Sequence, residues 1–158
     1  MSYANASYLI MLVNGAGLPA RILMPIVADR MGPLNIIASC SLGFAIVLSA
    51  WFGVSHVAGL YAFTTFLGMT SGATQSLMPT TVASITRRLD TVGTRLGMCF
   101  SVCSFASLTG PPIGGALQTA NGGVYTHAQI WAVVSAIVGS ALLVSSRTFK
   151  VGWVKAKC

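Results

Sequence analysis

Residues 31–86 read MGPLNIIASCSLGFAIVLSAWFGVSHVAGLYAFTTFLGMTSGATQSLMPTTVASIT, without one Asp, Glu, Lys or Arg. A second uncharged run extends from Leu96 to Ser146. Each run is too long for a single buried helix, and each holds Gly and polar residues near its middle where the chain can turn. A water-facing surface cannot leave out charge on that scale, because it must be hydrated. A chain dissolved in lipid can. These two runs make the chain a multispanning membrane protein.

Composition agrees. Only 7% of the 158 residues are charged, against about 25% in a soluble domain, and mean hydropathy is +0.79. In lipid every backbone polar group must pair internally, which leaves helices or closed barrels. Barrel strands alternate apolar and polar residues over about ten positions; segments such as Ala45-Ile46-Val47-Leu48 do not alternate. The expected fold class is all-α, a polytopic membrane helix bundle.

A span needs about 20 residues, and five fit: 8–28, 34–52, 57–82, 96–118 and 128–145, the second opened by Gly32-Pro33. Asp29-Arg30 follows the first span. Arg87, Arg88 and Arg95, with Asp90 among them, follow the third, and Arg147, Lys150, Lys155 and Lys157 follow the fifth. The breaks after the second and fourth spans carry no Lys or Arg. Every basic residue except Arg21 therefore falls on one side. The positive-inside rule makes that side cytoplasmic, with the N-terminus outside and the C-terminus inside. The formal net charge of +7 then reflects membrane topology rather than nucleic-acid binding, since no basic face with interleaved aromatics is present.

The start of the chain lacks the basic n-region of a signal peptide, and the Asn5-Ala6-Ser7 sequon is a triplet that is common by chance. Cys40, Cys99 and Cys103 lie inside spans. Cys99 and Cys103 are one turn apart, but no His or carboxylate is near them, so they read as packing residues; no metal, cofactor or disulfide framework is expected. The pairs Gly68/Gly72, Gly93/Gly97 and Gly110/Gly114 have the spacing that lets helix backbones approach closely. Pro25, Pro79 and Pro111-Pro112 are expected to bend their spans. The second and fifth spans offer little polar content beyond Ser and Cys and are expected to face lipid. The first, third and fourth carry Asn14, Arg21, Thr64, Gln75, Ser101 and Thr109 and are expected to form the polar interior.

Arg21 is the one charged residue well inside a span. Seven residues separate it from Ala28, or roughly 10 Å at a rise of ~1.5 Å per residue. An Arg at the centre of a membrane helix costs about 2.5–3.5 kcal/mol on insertion scales, so something must compensate. Either the guanidinium lines a watery cavity and binds a carboxylate bidentately, or the side chain snorkels to the headgroups. Asn14 and Gln75 either bond substrate or bond across helices. Tyr61, Phe63 and Phe66 serve as stacking surfaces for a substrate or as packing. His56 and His127, at the outer boundaries, are expected to be solvated, and Asp29 with Arg30 suits an ion pair between loops. No acid pair, metal cluster or activated nucleophile is present. Gly110-Pro111-Pro112-Ile113-Gly114-Gly115 cannot cradle a phosphate, because its prolines lack N–H donors. The chain is not expected to be an enzyme.

These residues carry a resemblance. Ala28-Asp29-Arg30-Met31-Gly32, between two spans, resembles the short cytoplasmic loop signature of the major facilitator superfamily as repeated in its second half. Asn14-Gly15-Ala16-Gly17 followed by Arg21-Ile22-Leu23 is similar to fungal members of the monocarboxylate transporter family. So is Gly93-Thr94-Arg95-Leu96-Gly97-Met98 leading into Ser104-Phe105-Ala106 and Thr109-Gly110-Pro111-Pro112-Ile113-Gly114-Gly115. The resemblance covers nearly the whole chain. It implies that the five spans correspond to helices eight to twelve of a twelve-helix transporter, a partial fold without the first seven. It implies secondary transport of a monocarboxylate or other small organic anion by alternating access, at the plasma membrane or an internal membrane. Arg21 then corresponds to the arginine that engages the substrate carboxylate, and Asp29, Arg30 and Gly32 form the loop signature; Asn14 and Gln75 join the candidate substrate-binding set on their polarity alone. Two positions depart from the pattern: Gly17 stands where animal relatives carry an aspartate, and Pro25 where the signature usually has Gly. The expected partners are an organic anion, the lipid bilayer, and an absent N-terminal half or full-length homologue. The alternative is a non-transporting membrane scaffold or regulatory partner of a full-length transporter.

Overall fold

The computed structural model describes residues 3–54, 56–86, 88–120 and 124–151. Five helices account for nearly all of them: α1 (Tyr3–Met31), α2 (Pro33–Ala50), α3 (Val57–Ile85), α4 (Val92–Ala120) and α5 (Thr126–Val151). Single 3₁₀ turns stand at Trp51–Gly53 and Leu89–Thr91. A helix stands at each of the five expected spans; α2 ends two residues short, and the other four run beyond their expected limits. Helix α1 continues through Asp29 and Arg30, and α4 begins upstream of Arg95. Charge marks where a helix leaves the hydrocarbon, not where its backbone hydrogen bonds stop. Helices α1, α3 and α4 also run uninterrupted through Pro19 and Pro25, Pro79, and Pro111-Pro112.

Four of the five are long and apolar enough to cross a membrane: Ser7–Met31, Pro33–Gly53, Leu89–Ala120 and Thr126–Phe149. Helix α3 has the length, 29 residues, but its Ser and Thr content lowers its hydropathy. Each of those hydroxyls donates to its own helix, for example Thr64 to the Leu60 carbonyl, Thr70 to Phe66, Thr74 to Thr70 and Thr81 to Leu77. Back-bonded in this way the hydroxyls need no water. They also let α3 occupy the centre of the bundle, packed against α1 and α2, with Thr64, Gly68, Gly72, Ala73, Leu77 and Thr81 buried.

The α1–α3 crossing is built from glycine. A Cβ on Gly17 would stand 2.9 Å from the Gly68 carbonyl oxygen, and one on Gly72 would stand 2.8 Å from that of Gly17. A Cβ on Gly68 would run into the Val13 carbonyl. The expected close approach at Gly68 and Gly72 is therefore observed. At Gly93, Gly97, Gly110 and Gly114 it is not: a Cβ there meets nothing within 4 Å, and no described residue of α4 is buried. Ser101 and Thr109, expected in the polar interior, are exposed on α4 and donate to the Gly97 and Phe105 carbonyls of their own helix.

Helix α2 is likewise two-faced rather than purely lipid-facing. Ile37, Ala38, Ser41, Ala45 and Leu48 are buried against its neighbours, while Leu42 and Ile46 are exposed. Ala28, Ile37 and Leu77, one from each of α1, α2 and α3, form the core cluster.

The α1–α2 connection is a single residue. Gly32 has φ 90°, a left-handed conformation that Gly alone adopts without strain. Its N–H donates to the Ala28 carbonyl at 2.8 Å, and its carbonyl accepts from the Asn35 N–H at 3.1 Å. Pro33 fills the first helical position, where its fixed φ is already correct and no donor is needed. Next to this turn, Arg147 of α5 donates from Nε to Asn35 Oδ1, while Asn35 Nδ2 donates to the Met31 carbonyl at 3.0 Å. One side chain thus ties α5, α2 and the end of α1 together.

Candidate functional site

Leu34, Ile85, Cys99 and Ser146 line one cleft between α2, α3, α4 and α5. The charged residues beside them in sequence, Arg30, Arg88, Arg95 and Arg147, consequently gather at one end of the bundle. Arg87, Lys155 and Lys157, expected on this same side, lie outside the described residues, as do the side chain of Lys150 and the Asn5-Ala6 part of the sequon. Asp29 and Arg30 are exposed, and among the described residues they form no ion pair, contrary to expectation. Gly32 is the member of the loop signature whose role is visible, as the left-handed turn described above.

Arg21 stands ten residues before the end of α1, about 15 Å along the helix axis. Its position follows from the glycine crossing. Gly17 seats α1 against α3 at Gly68 and Gly72, and one turn on from each helix Arg21 and Gln75 face each other. Arg21 Nη2 donates to Gln75 Oε1 at 3.2 Å. The side chain therefore reaches across to α3 instead of extending towards the charged end. Arg21 Nε is enclosed and without a hydrogen-bond partner. A guanidinium has five N–H donors, so its bond to Gln75 leaves most of its capacity unspent.

Asn14, two turns earlier on α1, is exposed, and its Nδ2 donates to the Ile10 carbonyl at 3.0 Å. The structure thus brings Arg21 and Gln75 together and leaves Asn14 bonded to its own helix. Gln75 is exposed on α3 and also lines the four-helix cleft of about 440 Å³. Since the hydroxyls of α3 are turned back onto backbone carbonyls, Gln75 is the polar side chain of that helix that reaches a neighbour.

The aromatic candidates divide. Phe63 stacks on Trp51, with ring centroids 5.8 Å apart, and so belongs to packing. Tyr61 and Phe66 are exposed. His56 and His127 are exposed at the ends opposite the basic cluster. Cys40, Cys99 and Cys103 are free thiols.

The crossing also fixes what side chain position 17 can carry. With the Gly68 carbonyl 2.9 Å from a Cβ at this position, a carboxylate side chain does not fit unless α1 parts from α3. Sequence reasoning missed the Asn35–Arg147 bond entirely. Periodicity carries no signal for two polar residues 112 positions apart that meet only through tertiary packing.

The chain is homologous to fungal MFS-type transporters. It is 36% identical over 147 residues to an MFS-type transporter of Gibberella zeae, covering 93% of this chain and 33% of the relative. It is 37% identical over 148 residues to the MFS transporter asaE of Aspergillus flavus, again 93% of this chain and 33% of the relative. The aspyridones efflux protein apdF of Emericella nidulans is 32% identical over 142 residues, 90% of this chain and 29% of the relative. The chain thus spans about a third of the length of the curated relatives it matches. These relatives are membrane transport proteins, not enzymes. No family model and no solved structure matched.

Proposed function

We propose that this homologue of fungal MFS-type transporters forms the C-terminal portion of a major facilitator transport pathway, helices eight to twelve. It moves a monocarboxylate or other small organic anion by alternating access. The observation that carries the reading is Arg21: a cationic side chain within a membrane-length apolar helix, held by Gln75 across α1–α3, with an enclosed Nε–H that has no partner. A buried donor left unpaired costs about 1–3 kcal/mol, and a carboxylate that displaces Gln75 from Nη2 and so reaches the Nε edge removes that penalty in bidentate geometry. Asn14 lies two turns away on the same helix and supplies a second polar contact as the substrate moves along α1. The basic end of the bundle is the cytoplasmic end, with the C-terminus inside. One relative's name assigns it efflux of aspyridones, which supports outward transport of an organic compound.

The rest of the pathway wall comes from an N-terminal half, or from a full-length homologue that this chain joins. The exposure of α4, with Met98, Val102, Phe105 and Leu108 all unburied, supports a further protein surface on that side. Transport of labelled monocarboxylates by cells tests the proposal. The chain is expressed alone and together with the N-terminal portion of the Aspergillus flavus relative, with Arg21→Ala as the control. Transport above that of empty cells, abolished by Arg21→Ala, is expected in at least one arrangement. Transport indifferent to Arg21→Ala removes Arg21 from the site, and no transport in either arrangement favours the scaffold alternative.

A further inference from the structure

We infer that the anion anchored at Arg21 carries an extended apolar body, and that this body lies in the cleft between α2, α3, α4 and α5. The inference rests on the carboxylate reading of Arg21 and adds the class of substrate.

Gln75 belongs to both places. Its Oε1 accepts from Arg21 Nη2, and the same side chain lines the cleft. Arg21 itself does not line the cleft, so Gln75 is the link: a ligand whose carboxylate sits at Arg21 has its next atoms beside the one side chain that belongs to both. Beyond Gln75 the walls are apolar, formed by Leu34, Met78, Val82, Ile85 and Leu143. Thr74 and Thr81 also line it, but their hydroxyls are committed to the Thr70 and Leu77 carbonyls. Between Gln75 at one end and Ser146 at the other, a polar body would lose its hydration along walls that offer no free hydrogen-bonding group. From Gln75 to Ile85 the cleft follows α3 for ten residues, about 15 Å at 1.5 Å per residue, and its volume is about 440 Å³. An acetate-sized anion leaves that length unfilled. A chain of several methylenes fills it.

The test is calorimetric titration of the full chain in nanodiscs with acetate, butyrate, hexanoate and octanoate. Neutral 1-octanol serves as a probe for simple lipid-like occupancy, and empty nanodiscs as the blank. Affinity is expected to rise about fourfold per methylene, the ~0.8 kcal/mol of one buried CH₂. Arg21→Gln weakens every acid by one common factor and leaves that increment intact. Met78→Trp, which fills the cleft, removes the gain beyond butyrate while acetate binds as before; Leu143→Phe provides the same obstruction from α5 should Met78→Trp fail to fold. Chain-length-independent binding that Arg21→Gln still weakens overturns the cleft inference and leaves the Arg21 reading standing. Octanol and octanoate binding equally, both indifferent to Arg21→Gln, makes the cleft a lipid site and overturns the inference. Binding of no acid at all overturns the Arg21 reading and the inference with it.

Discussion

Replacing Gly72 by Ala forces α1 away from α3. The new Cβ would lie 2.8 Å from the Gly17 carbonyl oxygen and 3.0 Å from the Gly17 Cα. Unbonded carbons rest at about 3.5–4.0 Å, and both neighbours are backbone, so no side chain can rotate out of the way. The helices must separate by roughly half an ångström or more, and overpacking of this kind costs about 1–3 kcal/mol. Alanine also has the better helix propensity, by up to ~1 kcal/mol, which partly masks the clash. Gly97→Ala supplies the correction. It makes the same change on α4, where a Cβ meets nothing within 4 Å, so it reports propensity alone. The difference between the two variants isolates the clash. At ~2–4 °C per kcal/mol for a chain of this size, that is about 2–12 °C in unfolding midpoint. Thermal unfolding in nanodiscs, followed by tryptophan fluorescence, measures both. Equal midpoints would refute the claim that glycine at this crossing is demanded by contact.

Three further outcomes are expected. Arg21→Gln weakens monocarboxylate binding about 10–150-fold, corresponding to the 1.5–3 kcal/mol of a hydrogen bond to a charged group. Arg21→Lys recovers only part of it, because an ammonium lacks the planar fork; equilibrium binding in nanodiscs reads both, and undiminished affinity in Arg21→Gln contradicts the site. Gly32→Ala lowers stability by about 1–2 kcal/mol, because the new residue must hold a left-handed φ; an unchanged midpoint would mean that the turn relaxes at no cost. Asn35→Ala and Arg147→Ala, alone and combined, give a coupling energy of about 0.5–3 kcal/mol in a double-mutant cycle, and strict additivity would dissolve the proposed tie between α5 and α2.

Much of the architecture was legible because lipid makes simple demands. Uncharged length gave the five helices, and the basic residues around Arg30, Arg88 and Arg147 marked the ends that share one side. Gly32-Pro33 announced a turn, since few other sequences stop one helix and start another within a single residue. What stayed hidden depends on partners. Three glycine pairs share the same spacing, yet only Gly68 and Gly72 meet a third glycine, Gly17, from another helix. Nothing in the spacing itself distinguishes them from Gly110 and Gly114. Helix α2 looked lipid-facing because Ala and Ile serve equally well against lipid and against protein. The hydroxyls of α3 suggested a polar lining, but hydroxyls can satisfy themselves on their own helix, and these do. At the site, Arg21 was conspicuous by its charge and Gln75 by its amide; that they bond each other follows only from the crossing that Gly17 sets.

With only Gly32 between them, α1 and α2 cannot slide past one another by more than about one 3.8 Å Cα–Cα step. The two are therefore held in register at that end, with Arg21 on one and the Asn35 latch to α5 on the other. Because α3 meets α1 backbone against backbone at Gly17, Gly68 and Gly72, any sliding of Gln75 past Arg21 has to open that crossing first.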